Sequence, residues 1–85
     1  MIYSINFTKS ALKSLKSLNK IDRKRIISKI EILKVNPYPQ DCKKLKSTNA
    51  FRIRIGSYRV IYDVLNDELI VRIIKIGHRK DIYLN

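Results

Sequence analysis

Apolar residues recur along this chain with two rhythms, and the change between them divides it. Ile2, Tyr3, Ile5 and Phe7 form a short β-branched and aromatic stretch that stops at Thr8, a capping type, which predicts a strand over 2–7. After Thr8 the apolar positions Ala11, Leu12, Leu15 and Leu18 fall at helical spacing, with Lys9, Lys13 and Lys16 between them. That is an amphipathic helix ending near Asn19. Asp22 is placed to open a second helix with Ile26, Ile27, Ile30 and Leu33 on its apolar side. Asn36-Pro37-Tyr38-Pro39 ends it, because proline cannot continue a helix. Residues 37–49 are polar and turn-rich, and are expected to form a surface loop. Beyond Ala50 the period becomes two, over 51–55, 58–64 and 69–76, which predicts three strands.

These elements imply an α+β fold in the order β-α-α-β-β-β, an antiparallel sheet with an N-terminal helical hairpin packed on one face. With 85 residues the chain is expected to form a single domain over 1–85 around one small core.

Turn chemistry sharpens the sheet. Gly56-Ser57 suits a two-residue type II′ hairpin, which sets Ile55 against Tyr58, Arg54 against Arg59 and Arg52 against Ile61. Phe51, Ile53, Ile55, Tyr58, Val60 and Tyr62 then share the face beneath the helices, while Arg52, Arg54 and Arg59 project from the other. A similar turn at Asn66-Asp67 would pair Val64 with Leu69, Tyr62 with Val71 and Val60 with Ile73, adding Arg72 to the cationic face. Ile61, Ile70, Ile74 and Ile76 fall on that side too, giving a partly apolar surface studded with arginines. Like charges facing each other across strands destabilise a sheet by roughly 0.2–1 kcal/mol. The Arg54/Arg59 pair is therefore read either as an anion site, where a phosphate would relieve the conflict, or as long side chains splaying into water.

Charge favours the first sense. The chain carries 19 Lys plus Arg against 7 Asp plus Glu, a formal net charge of +12, yet it is 45% hydrophobic with only two Gly and two Pro. It is a folded cation rather than a basic tail, and polyanions are its expected partners. The lysines Lys43, Lys44 and Lys46 suit docking to nucleic acid. One cysteine, Cys42, and one histidine, His78, leave no cluster to hold zinc, so no metal or other cofactor is expected. No apolar run reaches the ~20 residues of a membrane span and no signal-type start is present, so a cytoplasmic protein without membrane contact is expected.

After the last strand, Gly77-His78-Arg79-Lys80-Asp81-Ile82-Tyr83 supplies a histidine, two cations and a tyrosine. These are residue types that can neutralise charge on a phosphorane and move protons without metal. Together with Phe51-Arg52-Ile53-Arg54-Ile55 and Gly56-Ser57-Tyr58-Arg59-Val60-Ile61-Tyr62, this ending resembles the RelE/ParE toxin superfamily of toxin–antitoxin systems, over essentially the whole chain. The resemblance implies a toxin held by a cognate antitoxin in a hetero-oligomer. In the RelE branch such toxins cleave mRNA in the ribosomal decoding site, using the 2′-hydroxyl as nucleophile and leaving a cyclic phosphate. Carried over by position, Arg59 and Arg79 would stabilise the transition state, Tyr83 would be the candidate base, and His78 an alternative proton carrier. Arg52, Arg54 and Arg72, with Lys43, Lys44 and Lys46, would bind RNA, the ribosome and its rRNA included. Arg52 and Arg54 fall where some relatives carry lysine, and arginine keeps its proton, so an acid/base role there does not transfer. A non-catalytic ParE-like inhibitor of DNA gyrase, and a basic RNA-binding module without chemistry, are the other readings.

Overall fold

The structure is a computed structural model describing residues 2–78. β1 (Ser4–Phe7) leads into α1 (Lys9–Ser17) and α2 (Lys20–Val35), followed by β2 (Lys43–Lys44), β3 (Phe51–Ile55), β4 (Tyr58–Leu65) and β5 (Ile70–His78). The strands form one sheet in the order β1-β5-β4-β3-β2, with β1 parallel to β5 and every other pair antiparallel. The α+β class is as expected, with two corrections. The sheet is mixed rather than antiparallel, and the order is β-α-α-β-β-β-β, because the polar 37–49 stretch contributes a fifth strand.

Thr8 ties the helices to the sheet. Its side-chain oxygen accepts from the Ala11 N–H at 3.1 Å as the cap of α1 and donates to the Ile74 carbonyl at 2.8 Å. A cap hydroxyl satisfies one of the orphan N–H groups at a helix start. α2 is capped by Asn19 rather than by Asp22. Asn19 Oδ1 accepts from the Asp22 N–H at 2.8 Å and Asn19 Nδ2 donates to Asp22 Oδ2 at 2.9 Å, so Asp22 closes the cap from within the first turn.

The core lies between helices and sheet. Ala11 and Leu15 of α1 and Ile26, Ile30 and Leu33 of α2 pack with Ile53, Val60, Tyr62, Val71, Ile73 and Ile76. Ile27, expected with the apolar face of α2, is 42% exposed, since the buried residues keep a strict i, i+4, i+7 line that excludes it. Tyr62 is fully buried and donates its hydroxyl to the Pro37 carbonyl at 2.8 Å, which fixes the chain leaving α2.

The Gly56-Ser57 hairpin has the expected register, with Ile55, Arg54 and Arg52 opposite Tyr58, Arg59 and Ile61. Gly56 has φ +58°, the left-handed value that a type II′ turn demands at this position. The next turn differs. Residues 66–69 form a four-residue loop in which Leu69 takes φ 54°, and pairing starts at Leu65–Ile70, with Val64 opposite Val71 and Tyr62 opposite Ile73. A shift of two preserves the faces, as the period of two requires. A bulge between Ile61 and Tyr62 then absorbs one residue of β5, so Ile76 pairs with Val60 and enters the helix-side core instead of joining the arginine face.

The far face of the sheet has its own cover. Leu45 and Ala50 pack on Ile61, with Ile74 beside them, in a second small cluster. The loop that carries them is closed by Leu45 N–H to the Ala50 carbonyl at 2.9 Å and turned by Ser47 at φ 60°.

Candidate nucleic-acid interface

Direct cross-strand partners point to the same face, so register alone assembles the site. Lys43 pairs with Arg52, Arg52 with Ile61, and Ile61 with Lys75, which makes one row across four strands. The adjacent row is Arg54, Arg59 and Gly77. Both rows lie on the face turned away from the helices. Arg54 and Lys75 are exposed, whereas Arg52 and Arg59 are half-buried. Gly77 adds no side chain beside Arg59. Four strands thus carry five cations around Ile61, which the Leu45–Ala50 loop covers.

Lys75 was missed in the sequence because an uninterrupted period of two assigns it to the core side. The neighbouring pair Ile73-Ile74, two bulky apolar residues in succession, was the available sign of a bulge. Lys43 was read only as part of a loop cluster, but its pairing with Arg52 makes it part of the sheet. Lys44 pairs with Phe51 and so points to the opposite side. Lys44 and Lys46 instead line a separate recess with Ser47, Thr48 and Asn49.

Arg72 shares the far face through its pairing with Asp63, but its charge is engaged. Its Nε and Nη2 donate to the two carboxylate oxygens of Asp63 at 3.1 and 2.6 Å, a bidentate pair. The hydrogen bond to Asp63 raises the Arg72 pKa above its ordinary value. Asp63 is the single acidic residue at the strand positions of this face among the described residues, and Arg72 occupies both its oxygens.

His78 stands elsewhere. It pairs with Tyr58, on the helix side, and the two rings meet edge-to-face at 5.7 Å. The Tyr58 hydroxyl donates to Asp22 Oδ2 at 3.0 Å, and that bond raises the Tyr58 pKa. The sheet therefore separates His78 from Arg52, Arg54 and Arg59. Arg79 and Tyr83 lie outside the described residues.

The arginines of this face supply fixed positive charge and do not move protons. Arginine stays ionised, and Asp63 is held by Arg72. Tyr62 is on the helix side, and burial pushes its phenol far above the ordinary tyrosine value. Among the described residues no group of three His, Cys, Asp or Glu is placed to hold a metal ion, and no helix is long and apolar enough to cross a membrane.

Residues 5–83 match the family model described as ParE toxin of the type II toxin–antitoxin system parDE. The putative toxin RelE1 of Methanocaldococcus jannaschii is 42% identical over the whole of this chain and 99% of its own length. The fold matches RelE–RelB complexes from Pyrococcus horikoshii (TM-score 0.83, 33% identity, 96% of this chain and 100% of that one) and from Methanococcus jannaschii (TM-score 0.71, 35% identity, 92% and 94%).

Proposed function

Since this chain belongs to the RelE/ParE toxin family, we propose that it is a RelE-type endoribonuclease that cleaves mRNA on the ribosome and is neutralised by a cognate antitoxin. The observation that carries this reading is the pair of cationic rows, Lys43–Arg52–Ile61–Lys75 and Arg54–Arg59–Gly77, on the face of the sheet that the helices leave open. Guanidiniums in such an array bind phosphate oxygens bidentately and favour the extra negative charge of a phosphorane over the ground-state phosphodiester.

In this reading the substrate 2′-hydroxyl attacks the adjacent phosphorus, the bond to the 5′-oxygen breaks, and a cyclic phosphate and a free 5′-hydroxyl result. The attacking oxygen must lose a proton and the leaving oxygen must gain one. Arg59, between Arg54 and Gly77, is assigned to the transition-state charge, and Arg52, Arg54, Lys43 and Lys75 to the flanking backbone. Proton transfer is assigned to the C-terminal segment, with Tyr83 as the candidate base and Arg79 as a further cation. His78, across the sheet beside Tyr58, is assigned no direct part. Antitoxin neutralisation is supported by relatives whose structures are toxin–antitoxin complexes.

Induced expression with mapping of mRNA 5′ ends, alongside a gyrase supercoiling assay, tests the reading. New 5′ ends within translated regions, lost in Arg59→Ala, are expected. Intact mRNA with inhibited supercoiling would move the protein to the gyrase-directed branch.

A further inference from the structure

Between α2 and the end of β3 lies a second cationic feature, a cleft of about 450 Å³ lined by Arg25, Ser28, Lys29, Arg54 and Gly56 among others. β2 pairs only with Phe51 and Arg52, so β3 beyond Arg52 is an uncovered edge, and the cleft opens along it. Lys29 is neutralised by Asp41 at 2.7 Å. Arg25 and Arg54 have no ion pair among the described residues, and both are exposed. Two arginines thus line one cleft whose lining includes no acidic residue.

The Arg25 guanidinium is seated closely. It lies against Gly56, where a Cβ would stand 3.1 Å from Nη2 and 3.3 Å from Nη1. The glycine that the φ +58° turn demands also leaves room for this guanidinium, so any side chain at 56 would press on it. A planar fork lying beside the Gly56 turn, with a second arginine and a serine lining the same cleft, matches the donor set that recognises a phosphate group.

We propose that this cleft is a second phosphodiester subsite for single-stranded RNA, seating a backbone phosphate outside the cleavage point. The inference rests on the endoribonuclease reading and extends it. Arg54 belongs both to the cleft and to the row with Arg59, so the cationic strip runs unbroken from the open sheet face around the uncovered end of β3 to α2. A continuous strip suits a strand that carries one anion at every nucleotide better than it suits an isolated carboxylate of an acidic peptide.

The test is equilibrium binding of the purified protein to a short single-stranded RNA at several salt concentrations, comparing wild type with Arg25→Gln, Arg25→Lys and Arg52→Ala. Arg25 is exposed, so its variants should fold normally, with thermal unfolding as the check. Losing one phosphate contact should flatten the plot of log affinity against log salt by about 0.7 and weaken binding about three- to tenfold at low salt. Arg25→Lys should restore the slope and only part of the affinity. Unchanged binding in Arg25→Gln with weakened binding in Arg52→Ala would overturn the cleft and leave the endoribonuclease reading standing. Absence of RNA binding by the wild type would overturn the cleft. Binding of an oligoglutamate peptide that depends on Arg25, with RNA binding unaffected, would overturn the RNA assignment in favour of an acidic protein segment.

Discussion

Arg54 and Arg59 are direct cross-strand partners, one row from the hairpin turn that fixes them there. The two cations are placed opposite each other by the fold, since the Gly56-Ser57 turn, with Gly56 at φ +58°, closes the hairpin in the register that pairs them. Their proximity opposes folding and favours an anion. Replacing Arg54 by Thr, a residue suited to strands, should therefore raise unfolding stability by about 0.2–1 kcal/mol while weakening RNA binding. Urea denaturation and RNA titration of the same variant measure both effects. A destabilised variant would show that the pair does not conflict.

Arg72 lies on the same face and is expected to behave differently. Asp63 already takes two of its donors, so Arg72→Ala should leave the salt dependence of RNA binding unchanged. Asp63→Asn removes the compensating charge and should strengthen binding at low salt.

The floor of the site depends on a loop rather than on the main core. Leu45 is only 7% exposed and packs with Ala50 on Ile61. Leu45→Ala should cost about 2 kcal/mol by urea denaturation and speed amide exchange across 43–50, with RNA binding reduced as Lys43 loses its place beside Arg52. A neutral outcome would mean that Leu45 and Ala50 do not hold this face.

Lys29 gives the fold a defined response to acid. Its hydrogen bond to Asp41 holds that carboxyl below its ordinary value of 3.8. The folded pKa is thus lower than the unfolded one, so the stabilisation is fully present above about pH 4 and is lost as the pH falls through the folded value. Asp41→Asn should be slightly less stable than the wild type at pH 7, by less than about 1 kcal/mol for so exposed a pair. The difference should shrink as the pH falls below 3.8 and vanish once the pH is beneath the folded value. Thermal unfolding across this pH range decides it.

What could be read in the residues was what local chemistry dictates. The Gly56-Ser57 turn and the alternation from Phe51 to Tyr62 were enough to place Arg52, Arg54 and Arg59 on one face, because a two-residue turn leaves one register. The Thr8 cap was legible for the same reason. The parallel pairing of β1 with β5 was not, since it joins residues more than sixty positions apart, as in Ser4 with Ile70. The strand Lys43–Lys44 was hidden because two lysines have no apolar rhythm and exist as a strand only through Arg52 and Phe51. Ile73-Ile74 marked a bulge that simple alternation overrode, and this cost the reading Lys75 and misplaced Ile76. His78 looked close to the arginines along the chain, yet a strand sends neighbouring side chains to opposite faces.

In the proposed function, the cationic face binds RNA in order to cleave it through the RNA's own 2′-hydroxyl. The most direct measurement uses ribosomes programmed with a defined mRNA, the purified protein, and a second mRNA carrying a single 2′-deoxynucleotide immediately before the cut. Scission of the first with a cyclic phosphate at the new 3′ end, no scission of the second at that position, and loss of cleavage in Arg59→Ala are expected. Equal cleavage of both messages, or cleavage undiminished in Arg59→Ala, would contradict the proposed function.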